Sequence, residues 1–398
     1  MPRRTPFHSR TAALCQGSRW EDWSGFLSAS MYELDHIHEY NAVRLGCGLF
    51  DVSPLYKYDV RGRDAEALLN RIMVRDMSKC RVGQVFYTTW CDDEGKVIDD
   101  GTVAHLSEDH FRMTAAIPTL YWLQDNAIGL EVEIEDVSDQ LGALSLQGPT
   151  SRAMLQNLTD ADLSELGFFR CMESQVAGAP AVISRTGYTG DLGYEIFVAP
   201  QDAEKLWDAM LEIGEDHQML PAGEVALNQT RIEAGLILIE ADFISCTQTM
   251  FEVQKSSPYE LGQGWMVRLK KDFFVGQEAL RREKEQGSRW ALVGLEVDVN
   301  VLEKYYAEYA MPLHLPYTAW SGPVPIYADQ GMEQHIGRGN SGMWSPILKK
   351  YIVMGRVKPQ YAKLGTSFFI EEMVEDKAYS IPATVVKMPF FDPPRKKE

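Results

Sequence analysis

The sequence predicts an α+β protein of several domains that ends in a β-rich region. Three observations carry that expectation. The chain has 398 residues, well beyond the commonest domain size of roughly 100–150 residues, so two or three domains are required. Along its first two thirds, short stretches of alternating polarity are interleaved with segments of helical spacing. Beyond Gln286, strand-like runs and turn residues dominate, which makes a C-terminal β-domain.

Composition narrows the function. Lys plus Arg number 39 and Asp plus Glu 57, a net charge of −18, which repels nucleic-acid phosphates and anionic membranes. Neither is expected as a partner. Hydrophobic residues at 45% and charged residues at 24% are ordinary globular values, so a sizeable core can be buried. The six cysteines, Cys15, Cys47, Cys80, Cys91, Cys171 and Cys246, are scattered without a C-x-x-C pair and read as reduced, buried thiols. The N-terminal segment lacks a continuous apolar core and no long apolar run follows, so a cytoplasmic location is expected.

The elements follow in order. Tyr32–Leu45 has helical spacing and reads as one helix. Leu49–Gly62 alternates as a half-buried strand, and Arg63–Arg71 returns to a helical pattern. Gln84–Leu106 holds two strand-like stretches joined by Asp92, Asp93, Glu94 and Gly95, which is hairpin turn chemistry. Asp99 and Asp100 therefore fall on the returning strand and point to opposite faces. Pro180–Pro200 is strand, glycine-punctuated turn and strand, followed by an amphipathic helix at Gln201–Gly214. A Pro- and aromatic-rich stretch, Tyr305–Tyr327, interrupts the C-terminal strands. The charge clusters Arg281–Lys284 and Arg395–Lys397 are short enough to be solvated surface.

Generic motifs are missing. Gly187, Gly190 and Gly193 are three apart and precede a strand, which does not match a dinucleotide-binding turn. His36 and His38 diverge on a helix, so they do not make a metal pair, and no metal site is expected. There is no G-x-S-x-G elbow, H-E-x-x-H helix or P-loop. On local physics alone, Asp99 and Asp100 are either one functional acid or two solvated ones, and Tyr188, Tyr194 and Glu195 divide between packing and ligand binding.

An ordered set of motifs goes further: LFDVS (Leu49–Ser53), GKVIDD (Gly95–Asp100), LQGPTS (Leu146–Ser151), RTGYTGDLGYEIFV (Arg185–Val198) and RIEAGL (Arg231–Leu236). SPYELGQGW (Ser257–Trp265), DFFVGQEAL (Asp272–Leu280), SGMWSPILKKYIVMGRV (Ser341–Val357) and GTSFFIE (Gly365–Glu371) continue it. Together they resemble the aminomethyltransferase, or glycine-cleavage T-protein, superfamily over nearly the whole chain. The resemblance implies a three-domain cloverleaf with a central folate channel. Its domains would be residues 1–50 with 140–235, residues 51–139 with 236–280, and a barrel-like domain at 281–398. Tetrahydrofolate is the implied cofactor. Asp100 matches the family's active-site acid, Tyr87 and Tyr188 its channel tyrosines, Glu195 the carboxylate for the pterin edge, and Trp265 a channel wall. Asp100 and Tyr188 are the implied catalytic pair.

The departures fall on the substrate side. Leu227 and Asn228 stand where such proteins carry an Arg-Asp pair, Pro54 replaces a His, and Ile237–Lys255 is a longer, altered segment. Losing Arg removes a fixed charge and five donors. Leu55, Leu227, Phe243 and Phe251, with Tyr305 and Tyr306, are accordingly the candidate substrate contacts. The resemblance with these changes implies a tetrahydrofolate-dependent demethylase acting on a small O-, N- or S-methylated compound. The alternatives are an aminomethyltransferase of glycine cleavage, which needs a lipoylated carrier protein, and a non-catalytic folate binder. The folate-binding iron-sulfur repair branch is disfavoured because Phe273 stands where its cysteine belongs. Oxidative demethylation is not expected, since the chain reads without a flavin-binding half.

Overall fold

The computed structural model describes residues 2–398. Two large open sheets, a two-stranded sheet of Trp20–Trp23 and Phe26–Ala29, and one closed barrel make up the β-structure of the described residues. The six-stranded sheet runs in the order Cys171–Val176, Ala179–Ser184, Gly193–Val198, Gly142–Gln147, Cys47–Asp51 and Met219–Pro221. Its pairs are antiparallel except the last. Period-2 alternation divides its two faces. Leu49, Leu144, Leu146, Tyr194 and Ile196 pack with Trp207 and Met210 of the helix Ala203–Gly214. Phe50, Ala143 and Phe197 instead meet Tyr40, Val43 and Ala226, from the helices Ile37–Leu45 and Glu224–Glu233.

The five-stranded sheet runs Val85–Cys91, Val97–Ser107, His110–Ala115, Tyr56–Arg61 and Glu133–Asp136. Its Tyr58, Val60, Val103, Phe111 and Met113 bury Leu68, Leu69 and Ile72 of the helix Ala65–Ile72. The barrel closes through Ala291–Val297, Lys350–Val357, His335–Ser345, Trp320–Tyr327, Ser367–Val374 and Lys377–Val386. Closure pairs the last strand with the first and removes exposed edges. The expected α+β architecture with a C-terminal β-rich unit is what the chain adopts.

Between the sheets and the barrel, residues 236–274 run with little regular structure beyond a single turn at Gly264–Met266. Ile237, Phe243, Leu261, Met266 and Phe274 fill a shared core with Val74 and Val97 on one side and Met343, Ile352 and Met354 of the barrel on the other. An apolar seam of this kind holds the units together without a sheet crossing between them. No helix among the described residues is long and apolar enough to cross a membrane.

Three local expectations need correction. The helix read over Tyr32–Leu45 begins only at Ile37. Asp35 accepts the Ile37 N–H at 2.8 Å, and the Glu39 carboxylate turns back to accept the N–H groups of Tyr32 at 2.6 Å and Glu33 at 3.1 Å, holding that stretch as a loop. The continuous strand read over Leu49–Gly62 is two strands in different sheets. At the junction Asp51 accepts the Ser53 N–H at 3.0 Å, and the buried Lys57 ammonium donates to the carbonyls of Ser53 at 2.8 Å and Leu55 at 2.7 Å. Finally, Tyr305 and Tyr306 belong to a helix, Val299–Glu308, capped by Asp298, whose carboxylate accepts the N–H groups of Asn300 at 3.0 Å and Val301 at 3.3 Å.

Candidate functional site

A cavity of about 900 Å³ lies where the three units meet. The five-stranded sheet contributes Val85, Phe86 and Tyr87. The barrel contributes Leu292, Val293, Val385 and Val386, and the intervening segment Ile237, Gln263 and Trp265. Phe168, Phe169 and Arg170 are brought in by backbone pairing: Val85 N–H donates to Phe169 O at 2.9 Å and Cys171 N–H to Gly83 O at 3.0 Å. Aromatic and apolar walls broken by a few polar groups are the usual make-up of a small-molecule site.

The hairpin register explains which polar groups gather at its edge. Tyr87 pairs with Thr102 and Thr89 with Asp100, so all four side chains share one face of the sheet. Thr89 Oγ1 donates to Gln263 Oε1 at 2.8 Å, Gln263 Nε2 donates to the Tyr87 hydroxyl at 2.7 Å, and that hydroxyl donates to Asp100 Oδ2. Each donor in this chain is aimed toward the carboxylate. The Asp100 carboxyl is held above the usual carboxylate range chiefly by burial, against which the Tyr87 hydrogen bond acts. A carboxyl so tuned, one hydrogen bond behind the cavity-lining Tyr87, is suited to accept or return a proton near neutral pH.

Asp99 does different work on the opposite face. It is fully buried and accepts the N–H groups of Ala116 at 2.8 Å, Ile117 at 3.0 Å and Asp100 at 2.8 Å. Burial, then the neighbouring Asp100 charge, push its carboxyl up. Neither acid is solvated: Asp99 anchors backbone, and Asp100 is tied to the cavity wall through the Tyr87 hydroxyl.

The remaining candidates divide. Trp265 lines the cavity and is 57% exposed. Tyr188 sits one bond behind the wall, its hydroxyl donating to the carbonyl of Ile237, which lines the cavity. Burial pushes its phenol far up, so it stays neutral. Glu195 lies on the six-stranded sheet between Ser184 and Ser145, with Thr186 Oγ1 donating to one carboxylate oxygen. Burial raises its carboxyl, and it is not part of the cavity lining. Leu55 and Leu227 pack with Phe50, Phe197 and Trp23 on the helix-covered face of that sheet, where Leu227 also borders a void of only about 10 Å³.

The aromatics expected to meet a donor do not line the cavity. Phe243 is enclosed in the central core at 2% exposure, because its segment fills the seam between the five-stranded sheet and the barrel. Phe251 stands 66% exposed at the surface. Tyr305 lies against Tyr379 with ring centroids 4.1 Å apart, and both it and Tyr306 pack on the barrel core. Local reading missed Gln263, Arg75 and Arg170. Gln263 lies inside the quoted SPYELGQGW motif, which was the available signal, whereas nothing near either arginine marks it.

The glycines of Arg185–Val198 prove to be packing devices. A Cβ on Gly187 would come within 2.0 Å of the Gln147 side chain, and one on Gly193 within 2.2 Å of it. Gln147 occupies that gap and donates to Ser145 Oγ at 3.0 Å and Thr186 O at 3.1 Å while accepting from Thr189 Oγ1 at 3.0 Å. The amide thus steadies the turn that leads into Tyr188 and Glu195.

Comparison with known proteins gives this geometry its setting. Residues 7–271 match the GCVT N-terminal domain, and residues 316–392 match the glycine cleavage T-protein C-terminal barrel domain. An aminomethyltransferase of Thermoanaerobacter sp. is 35% identical over 382 residues, covering 94% of this chain and 94% of that protein. A trimethylamine-oxide aldolase of Ruegeria pomeroyi is 36% identical over 409 residues, covering 99% of this chain; the chain spans 47% of that longer protein. Among solved structures, the glycine cleavage system aminomethyltransferase T of Bartonella henselae superposes with a TM-score of 0.82 at 23% identity, covering 98% of this chain and 99% of that one. The chain belongs to the aminomethyltransferase family of glycine-cleavage T-proteins, whose members are one-carbon transferases.

Proposed function

We propose that this protein moves a methyl group from a small O-, N- or S-methylated compound to N5 of tetrahydrofolate. The observation that carries this reading is Leu227, which is packed among Leu55, Phe50, Phe197 and Trp23 where the resemblance leads one to expect an arginine. Leu227 lies outside the cavity lining; what it changes is charge, since the loss of the arginine disfavours a donor held by charge. The Ruegeria relative is named for an N-methylated compound, trimethylamine oxide, which supports a small N-methylated donor.

The donor set fits a reduced folate. Phe86, Tyr87 and Trp265 offer flat apolar walls to a ring, and Asp100 has one oxygen engaged by Tyr87 and a second for a ligand N–H. Glu195, engaged only at one oxygen by Thr186 and outside the cavity lining, is the carboxylate that the resemblance gives to the pterin edge, where paired N–H donors suit it. When bound, tetrahydrofolate supplies the nucleophilic nitrogen. Asp100 would orient that nitrogen, take up its proton as the methyl group passes to it, and return that proton to the heteroatom that leaves with the bonding pair. Tyr87 and Gln263 hold Asp100 in place, and the aromatic and aliphatic walls exclude water, so that most of the acceleration comes from alignment. Tyr188 has its proton committed to Ile237 O and serves to position that wall more than to assist a leaving group.

The full-length aminomethyltransferase relatives favour a second reading, transfer of an aminomethyl group from a lipoylated carrier with release of ammonia. The test is direct. Incubation with tetrahydrofolate and a panel of methoxy, N-methyl and S-methyl compounds is expected to give 5-methyltetrahydrofolate from at least one class, and the loaded carrier is expected to be inert. Methylenetetrahydrofolate and ammonia from the carrier at enzyme-like rates would return the protein to glycine cleavage.

A further inference from the structure

The helix Ala65–Ile72 ends against the segment that brings Trp265 to the cavity wall, and that segment supplies what the helix end lacks. A helix leaves its last carbonyls without partners and its C-terminus partly negative. Here Met73 N–H donates to Leu69 O and Val275 N–H to Arg71 O, both at 2.9 Å. The Asn70 carbonyl is taken by the Lys271 ammonium at 2.5 Å, which also donates to Met73 O at 2.6 Å and Arg75 O at 2.9 Å and reaches Asn70 Oδ1 at 3.2 Å. The Phe274 ring closes the cage, its centroid 4.8 Å from the ammonium. The lysine ion pairs among the described residues are those of Lys255, Lys350, Lys396 and Lys397, so no carboxylate pairs with Lys271. Four carbonyl oxygens around a cation that has no paired counter-charge are the donor set of a bound monovalent ion.

The same cage borders the cavity. Arg75, whose carbonyl is one of its oxygens, lies over Phe86, 3.7 Å from the ring centroid, and 5.7 Å from that of Trp265, and its Nη1 donates to Tyr87 O at 3.1 Å. On the facing segment Arg268 N–H donates to Val74 O at 2.9 Å and Arg268 Nη1 to Trp265 O at 2.6 Å. The ammonium thereby fastens residues 70–75 to residues 265–274 and fixes how Arg75 and Trp265 stand with Phe86 and Tyr87 in the wall. We propose that Lys271 is a positioning residue, a tethered cation in a site shaped for one, which sets this stacked wall and the backbone behind Tyr87 for the ligand. Its effect on the ligand rests on the folate reading above, and the cation site does not. A methionine fills the space of the stem but donates nothing, and the planar fork of an arginine does not converge on one point among four oxygens.

Lys271→Ala, Lys271→Met and Lys271→Arg, made in the full chain, test it. Burial pushes the Lys271 pKa down to about 7, so the comparison is made at pH 6, where the native amine is charged. In Lys271→Ala, n-propylammonium restores the missing carbons and ammonium and is expected to raise the melting temperature by several degrees. Tetramethylammonium, a cation without an N–H, is expected to leave it unchanged at equal ionic strength. Tetrahydrofolate affinity is expected to fall about tenfold in all three variants, as displacement of a cavity wall would cause, and to recover with propylammonium in Lys271→Ala alone. The emission of Trp265, identified by its loss in Trp265→Phe, is expected to shift in Lys271→Met and to return toward the native value in Lys271→Ala with the amine. A lysine that only caps its helix would not move that signal. Lys271→Met keeps the question open to refutation if Lys271→Ala does not fold. Equal responses to the two cations overturn the proposal, and so do native folate affinity and native Trp265 emission in Lys271→Met, whatever its stability. Failure of the native chain to bind tetrahydrofolate removes the folate reading alone, since amine-dependent melting and Trp265 emission still decide this one.

Discussion

The Tyr87 hydroxyl donates to the Asp100 carboxylate across the diagonal of one hairpin and accepts from Gln263 at 2.7 Å. Two strands and a segment some 160 residues further along the chain thereby converge on one acid. The arrangement gives Asp100 a fixed rotamer and a supported charge, which is what a proton-handling group needs beside a ligand it must align.

Activity is therefore expected to fall on the acid side at a pH above the ordinary carboxylate range, because burial raises the Asp100 pKa and the ionised form is the proton acceptor. Tyr87 donates to the ionised form and so opposes that rise. Tyr87→Phe removes the donor, which moves the acid limb to still higher pH and lowers kcat/KM by about tenfold, the worth of a charge-assisted hydrogen bond of about 1.5 kcal/mol. Profiles of kcat/KM against pH for both proteins check this. A limb that moves to lower pH in Tyr87→Phe would show the sign to be wrong.

Asp99 and Asp100 are expected to fail in different ways. Asp100→Asn lowers turnover with a native stability, since the side chain is joined to the cavity wall through Tyr87 and anchors no backbone outside its own strand. Asp99→Asn places an N–H₂ group against backbone donors that the carboxylate now accepts, costing about 1–3 kcal/mol of stability while the folded fraction keeps its rate. Urea denaturation alongside turnover separates the two, and similar rate losses in both would break the assignment.

The contrast between these neighbours shows how far sequence reading reaches. The hairpin was readable because Asp92–Gly95 is turn chemistry and Gly95 takes a φ of 70°, a conformation glycine adopts without strain. Alternation alone then put Asp99 and Asp100 on opposite faces. The same alternation misled over Leu49–Gly62, where both halves are strands but the Ser53–Pro54 junction switches sheets, a tertiary event with only a weak local sign. Likewise, Phe243 could be a core or a substrate aromatic until its neighbours were known. Arg75 and Arg170 were out of reach entirely, since only the folded chain brings them to the cavity wall.

Glu233 offers a test of how the units are joined. Its buried carboxylate accepts from Tyr40 at 2.6 Å, from Arg44 Nε at 2.8 Å and from Ser345 at 2.5 Å, linking two helices to a barrel strand. Glu233→Ala leaves the buried Arg44 guanidinium with only the longer Asp191 carboxylate contact at 3.6 Å and is expected to cost about 3 kcal/mol or more. Removing the exposed pair Arg3–Asp139 is expected to cost less than about 1 kcal/mol. Equal denaturation midpoints for the two variants would contradict this.

The seat of Gln147 makes a reciprocal prediction. Gly193→Ala forces a methyl to within 2.2 Å of the Gln147 amide, and overpacking of this kind costs about 1–3 kcal/mol. Because the clash is with a side chain and not with backbone, shortening that side chain opens the space. Gly193→Ala/Gln147→Ala is expected to be more stable than the sum of the single losses, the signature of two residues that share one volume. Glu195 lies two positions along the same strand, so the Gly193→Ala single variant is also expected to weaken folate binding, and the double variant to recover part of it. Additive stabilities, with folate affinity unmoved in every variant, would sever the glycine turn from the Glu195 site and leave the turn a purely local packing feature.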